Sequence, residues 1–279
     1  MTIAPKMPSL LDSKRLLHAA GIGLLLGLIL VASAWAMEPL GMPSEVDVAT
    51  SPSEVIHLSQ HAFLLEDREQ ALAVETLGGL PESHWRYVSE EAIHVAYTRT
   101  TWWIRVPLVN SDDHSTKRIL EVRSPLIDFL DMYLIQGDQP IQSYAVGDQR
   151  QLADRPLLGR TFAFPIEIPA HATREILIRL SLKDGVFDVA PLLLWPEKAF
   201  SHMQYREQLL LGVFFGSILA LTIYNLLLFF TSHDRNFLRY AVLLGVLALW
   251  NFGYRGLGYL YLWPNHPSIN NFWEWSFRH

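Results

Sequence analysis

The stretch LLLGVFFGSILALTIYNLLLFF, Leu209 to Phe230, constrains this chain more than any other. About 20 consecutive apolar residues match the hydrocarbon thickness of a bilayer, whereas a core helix of a water-soluble domain shows a polar stripe at least every second turn. The run lacks that stripe, so residues 209–230 read as a membrane-crossing helix. Gly212, Gly216 and Ala220 recur four apart and place small residues on one face, where further helices can approach closely. Chance is the competing explanation, because Gly and Ala are common in such helices. Asn225 is expected to hydrogen-bond a neighbouring helix, since an unsatisfied amide is costly in hydrocarbon.

The flanks extend this reading in both directions. Residues 198–208 are polar and amphipathic and run into the crossing with no Gly or Pro break, as a juxtamembrane helix would. Residues 231–237, with Arg235 and then Arg239 close by, fit a cytoplasmic loop by the positive-inside rule. A second crossing is expected over 238–256, with Arg255 snorkelling outward. Tyr259, Tyr261 and Trp263 then form an interfacial belt in a periplasmic loop, 257–279, which ends where a third helix would start. The chain therefore reads as truncated.

The N-terminus carries an export signal. Lys6, Lys14 and Arg15 precede the run AAGIGLLLGLILVASAWA, and Ala34-Trp35-Ala36 offers small residues for signal peptidase, so 1–36 reads as a signal peptide. An uncleaved anchor would give the same orientation. Export places the following domain outside the cytoplasm. Of 279 residues 50% are hydrophobic, against 22 Lys+Arg and 28 Asp+Glu, a mixture suited to one soluble domain plus membrane helices. The formal charge of -6 and the lack of any Lys/Arg stripe argue against nucleic acid as a partner. With no cysteine, disulfides, thiolate metal sites and cysteine nucleophiles are all excluded.

Residues 37–53 read as a linker of Pro, Ser and acidic residues without periodicity. Period-two alternation then takes over. In TWWIRVPLV, Thr101 to Val109, Trp102, Ile104, Val106 and Leu108 point one way while Trp103, Arg105 and Pro107 point the other. Further strands are expected over Ile119–Val122, Phe129–Ile135, Thr161–Ile168 and Glu175–Leu182, separated by turn residues such as Gly137-Asp138 and Pro169-Ala170-His171. No helical stretch is long enough for a crossover, so 54–197 reads as antiparallel sheets packed as a sandwich. The fold class is an all-β sandwich followed by transmembrane helices.

Motifs for chemistry are scarce. His57 and His61 lie four apart without an H-E-x-x-H pattern and read as surface histidines. The pairs Glu66-Asp67, Glu90-Glu91 and Asp112-Asp113 read as solvated turns rather than calcium ligands or a glycosidase couple. No G-x-x-x-x-G-K-[ST], G-x-S-x-G or glycine-rich nucleotide loop is present, so neither an enzyme nor a cofactor is expected.

Several segments in order carry a family resemblance: FLLEDREQALAVETL (Phe63 to Leu77), WWIRVPLVN (Trp102 to Asn110), FLDMYL (Phe129 to Leu134), FAFPIEIP (Phe162 to Pro169), GVFFGSILALTIYNLLLFF (Gly212 to Phe230), RNFLRY (Arg235 to Tyr240) and GLGYLYLWP (Gly256 to Pro264). Together they resemble bacterial seven-transmembrane receptors with diverse intracellular signalling modules, in the type-2 extracellular domain and the beginning of the seven-helix region. The resemblance implies a periplasmic jelly-roll sandwich for carbohydrate-like or other small ligands, seven helices, and a cytoplasmic histidine kinase, as in a two-component system, or a diguanylate cyclase. Two helices and no output module are present here, so catalysis is not carried over.

Jelly-roll domains that bind sugars often stack them on an exposed aromatic ring beside charged groups. By strand parity Trp103 and Arg105 lie on one face of their strand, opposite Trp102, Ile104 and Val106, and Asp131 and Tyr133 on the face of theirs opposite Leu130, Met132 and Leu134; these four make the candidate ligand platform. In the competing arrangement Trp103 packs under a loop and Arg105 pairs with an acid such as Asp131. Two functions follow: a sensor input that shifts helix packing when a small periplasmic ligand binds, or a membrane-tethered binding or scaffold protein. An exported carbohydrate-active enzyme comes third. Membrane lipids and, on signalling logic, a second copy or a sister receptor are the remaining expected partners.

Overall fold

The computed structural model describes residues 45–88, 93, 100–182, 191–264, 266 and 269. The signal peptide, linker positions 37–44, the Glu90-Glu91 pair and the start of a third helix lie outside the described residues. The strands are β1 (Val46–Asp47), β2 (Ile56–His57), β3 (Phe63–Asp67), β4 (Arg86–Tyr87), β5 (Thr101–Val109), β6 (Thr116–Val122), β7 (Phe129–Gln136), β8 (Gln139–Val146), β9 (Phe162–Ile168), β10 (Thr173–Ser181) and β11 (Leu192–Pro196).

Alternation in β5 explains how they assemble. Its Trp102, Ile104 and Val106 stand opposite Leu180, Ile178 and Ile176 of β10, which stand opposite Leu130, Met132 and Leu134 of β7. Those rows form one face of a sheet in the order β4-β3-β5-β10-β7-β8, with β1 parallel to the end of β5. A second sheet, β2-β11-β6-β9, supplies Leu120, Val122, Phe162, Phe164, Ile166, Ile168, Leu192 and Leu194. The two apolar faces close on one another as an almost wholly antiparallel sandwich, because each sheet has only one other surface on which to bury them.

The sandwich starts earlier than its composition implies. Residues 45–53, read as linker, pack onto the domain: Val46 pairs with Leu108, and Val48 is fully buried in the core. Buried Arg118 donates from Nη2 to the carbonyls of Val48 (2.8 Å) and Ser51 (2.7 Å), and from Nη1 to that of Glu54 (3.2 Å). A guanidinium that satisfies three irregular carbonyls replaces the ladder which a strand would have used.

Strand β11 leads straight into a helix. Pro196 ends the strand and caps α2 (Glu197–Ser232), which follows the single-turn α1 (Val74–Leu77) in chain order. Residues 198–208 and 209–230 are thus one helix, about 54 Å long at 1.5 Å per residue. Its first turns lie on the second sheet, where Phe200 packs with Ile119, Ala163 and Trp195. At the far end His233 adopts the left-handed conformation (φ 58°) and donates to the Phe229 carbonyl (2.8 Å). Asp234 then caps α3 (Arg235–Tyr254) by accepting from the Asn236 amide (2.9 Å). Only His233 and Asp234 separate the helices, so the turn is tighter than the loop expected over 231–237.

Both helices are long and apolar enough to cross a membrane. The less exposed positions that mark their seam include Leu211, Phe215, Ile218, Thr222, Asn225 and Phe229 on one helix and Phe237, Ala241, Leu244, Ala248 and Phe252 on the other. This four-three spacing is that of helices packed nearly parallel in axis. The Phe215 and Phe252 rings meet edge to face at 5.3 Å. Gly212, Gly216 and Ala220 lie outside this seam and are exposed, with open space beside both glycines. Among the described residues Asn225 donates to the Leu221 carbonyl of its own helix (2.8 Å), the carbonyl four residues back being within reach of its amide.

The second helix ends at Tyr254 rather than at residue 256. Gly256 takes φ +72° and turns the chain into α4 (Leu257–Tyr261). A Cβ at Gly256 would sit 2.8 Å from the Cβ of Pro125, so only glycine lets the helix end approach the sandwich so closely.

Candidate functional site

The outer face of the larger sheet holds all four residues expected at a ligand platform. Register places Leu65, Trp103, Arg179 and Asp131 in one row across β3, β5, β10 and β7. The next row is Phe63, Arg105, Leu177, Tyr133 and Ser143. A face of this composition cannot be left to water, and it is not. Residues after β3 fold back over it, so that Leu72, Val74, Leu77, Leu80 and Trp85 pack on Leu65, Trp103, Ile135 and Leu177. Asp67 anchors that segment by accepting from the amides of Ala71 (3.2 Å) and Leu72 (3.1 Å).

Trp103 is therefore not an exposed stacking surface. It is 1% exposed under the covering segment, because burying an indole stabilises the fold more than exposing it. Its ring stacks on Tyr133, with centroids 6.2 Å apart and planes 27° apart. Arg105 lies between the rings of Phe63 (4.9 Å) and Trp85 (4.7 Å), away from Asp131. Burial pushes the Glu175 carboxyl up, partly offset by the charge of Arg105. Asp131 is buried and shared: its Oδ1 accepts from Arg150 Nη1 (2.6 Å) and its Oδ2 from Arg179 Nη1 (3.3 Å). Parity thus places the four on one face, but the pairing of Arg105 with Asp131 does not form.

Only Trp103 and Tyr133 of the four line the groove that opens on this face. It holds about 500 Å³ between the covering segment and β8, with Leu72, Val74, Glu75, Ile141, Ser143 and Arg179 around the two rings. Burial, and next the charge of Asp131, push the Tyr133 phenol up, so it is a hydroxyl donor at neutral pH. Trp103 Nε1 and Arg179 Nε are buried donors without an acceptor among the described residues. Such donors are uncommon in folded chains, and a polar guest that accepts from them removes the penalty.

Reasoning from sequence missed Arg179, Glu75, Ser143 and Arg150. Arg179 was within reach, since the strand expected over 175–182 gives it the parity of Glu175 and Leu177. Glu75 and Ser143 were not, because nothing local says which segments border the sheet.

At the membrane end Arg160 pairs with Glu207 of α2, and Glu121 accepts from Thr161 Oγ1 (2.8 Å) and Trp195 Nε1 (2.9 Å). Burial pushes the Glu121 carboxyl up despite these two bonds. Among the described residues no group of three or more His, Cys, Asp or Glu side chains gathers to hold a metal.

The sandwich, with its covered and partly polar groove, runs without a break into helices long and apolar enough to cross a membrane. Residues 59–195 match the family described as 7TMR-DISM extracellular 2, and residues 207–278 match that described as 7TM diverse intracellular signalling. The chain belongs to the seven-transmembrane receptors with diverse intracellular signalling modules, and it carries their extracellular sensor domain and membrane region. No curated protein matches it. Among solved structures it is similar to β-glucosidase from Kluyveromyces marxianus in complex with glucose (12% identity, TM-score 0.28). It is equally similar to the selenomethionine-labelled form of that enzyme (12%, 0.29). Each match covers 56% of this chain and 18% of the enzyme's length, too slight a likeness to bear on fold or activity.

Proposed function

We propose that the chain is the periplasmic input of a transmembrane receptor in the inner membrane of a Gram-negative bacterium, and that it binds a small carbohydrate-like ligand in the Trp103–Tyr133 groove. The carrying observation is the composition of that groove. The half-buried Tyr133 ring, backed by Trp103, offers an apolar wall to C–H groups, while the Tyr133 hydroxyl, Glu75, Ser143 and Arg179 supply acceptors and donors around it. A polyol ring needs both kinds of partner, because each hydroxyl donates and accepts. Occupancy then biases the packing of α2 and α3, which a cytoplasmic output module reads.

The full chain in lipid nanodiscs, screened with D-glucose, cellobiose and D-glucuronate, tests this reading by thermal unfolding. A ligand that binds only the native state raises the melting temperature. At least one sugar is expected to do so, and Tyr133→Ala is expected to abolish the rise. No rise with any of them, or an equal rise in the variant, overturns the groove as the site. Tyr133 is chosen over Trp103 because it is half-buried, so its loss opens the groove without hollowing the cluster beneath.

A further inference from the structure

An unbroken polar chain leads from the groove to the sandwich-facing end of the helical hairpin. Arg179, on the groove wall, lies 6.0 Å from the Trp103 ring and donates to Asp131 Oδ2 (3.3 Å). The other oxygen of Asp131 accepts from Arg150 Nη1 (2.6 Å). That same nitrogen donates to the carbonyls of Leu130 (3.1 Å) and Val146 (2.9 Å), and the guanidinium lies 5.3 Å from the Phe129 ring. Side chain and main chain of Arg150 are thus held together. Its own carbonyl accepts from the hydroxyl of Tyr259 in α4.

Tyr259 is a fixed endpoint. It is 3% exposed, and the Arg155 guanidinium lies between its ring (5.3 Å) and that of Phe162 (4.4 Å) while donating to the Gly159 carbonyl (2.7 Å). Between α3 and α4 there are only Arg255 and Gly256, and Gly256 lies against Pro125. A shift of Arg150 is therefore passed to the end of a membrane-crossing helix by groups already in contact.

One carboxylate serves two guanidiniums, which makes its allegiance divisible. We propose that the Arg179–Asp131–Arg150 triad couples groove occupancy to the Tyr259 end of the hairpin, a regulatory role that rests on the groove being the ligand site. An oxygen of the ligand that accepts from Arg179 draws this guanidinium off Asp131. Asp131 then pairs with Arg150 alone, and the segment whose carbonyl anchors Tyr259 moves with Arg150. A charged group in a half-buried setting competes strongly for such a pairing, because charge-assisted bonds are about twice as strong as neutral ones. By linkage the coupling runs both ways, so loosening Tyr259 alters affinity in the groove.

Hydrogen exchange of residues 255–262, followed by mass spectrometry on the full chain in nanodiscs, tests the triad without any ligand. Arg179→Gln removes the competing guanidinium and is expected to change exchange there by about fivefold or more, the low end of ordinary coupling. Arg179→Lys restores the charge and is expected to return exchange towards the starting value. In an Asp131→Asn background Arg179→Gln is expected to have no further effect. Unchanged exchange in Arg179→Gln, or the same change in the Asp131→Asn background, overturns the triad even where the variant melts early, since general loosening ignores that background. D-glucuronate binding to Tyr259→Phe, a residue outside the groove, supplies the second arm. An affinity equal to that of the native chain overturns the coupling and leaves the groove standing. Binding by neither protein removes glucuronate as a ligand, and the ligand-free exchange then decides the triad alone.

Discussion

The two faces of the larger sheet are built from the same strands and obey different rules. Its inner face carries Trp102, Ile104 and Val106 of β5, then Ile176, Ile178 and Leu180 of β10, and closes on Phe162 and Phe164 of the second sheet. Its outer face carries Trp103, Arg105, Glu175, Arg179 and Asp131 on alternate positions of those strands and of β7. Burial of apolar area is non-directional, so the inner face needs only volume and parity. The outer face needs partners: Arg105 has Phe63 and Trp85, Asp131 has two guanidiniums, and Trp103 has Tyr133. Specific pairing is dispensable for a core, and the groove opens on the face that has it.

The sharpest contrast between the faces is in stability. Phe164, fully buried on the inner side, is expected to cost about 3–5 kcal/mol when replaced by alanine. Denaturant unfolding of the full chain in detergent would read this as a lowered midpoint. Asp131→Asn on the outer side is expected to cost less, about 2 kcal/mol, the loss of charge-assisted bonds from groups still partly reached by solvent. If Asp131→Asn proved the worse of the two, the outer face would be part of the folding core and the division of labour would fail.

A smaller effect depends on pH. Burial places the folded-state pKa of Glu121 above its unfolded value, so the folded chain holds this proton more tightly than the unfolded chain. The stability this lends is complete below the unfolded carboxyl range and is lost as pH rises through the folded value. Glu121→Gln carries no charge there, and its amide still offers an acceptor to Trp195 and a donor to Thr161. Melting curves from pH 4 to 8 are therefore expected to show the native chain losing ground to Glu121→Gln as pH rises. A constant difference over that range would mean that the Glu121 carboxyl is unshifted on folding.

Much of the inner architecture was legible because period-two alternation is a direct imprint of burial. The strand read at 101–109 has those ends, and the four others lie within two or three residues of theirs. What escaped was short, polar or defined by distant partners. Strand β8 reads QPIQSYAV, with Pro140 at a bulge and an exposed face, so its alternation is weak. Residues 45–53 are too short a run for a period to stand out, and their partners, Leu108 across the strand pair and Arg118, lie about sixty or more positions away. Trp103 and Asp131 shared a face as expected, yet β10 lies between their strands, and strand order is a long-range property that parity does not carry.

The same contrast recurs in miniature on α2, where the expected effect is smallest. Phe215 lies in the seam with α3 and meets Phe252, whereas Gly216, one position along, faces open space on a side lined by exposed Leu219 and Ile223. Gly216→Ala adds a methyl where nothing opposes it among the described residues and replaces a residue of low helix propensity. For this chain alone in nanodiscs the substitution is expected to be neutral or to stabilise by less than about 1 kcal/mol. Phe215→Ala, which empties the seam, is expected to loosen the hairpin and to raise exchange in α3. Should Gly216→Ala instead destabilise the chain, or change its state of association, the small-residue face meets another helix, because in lipid only close packing makes a single methyl matter. That outcome would move Gly212, Gly216 and Ala220 from the lipid-facing side of the comparison to the packed side.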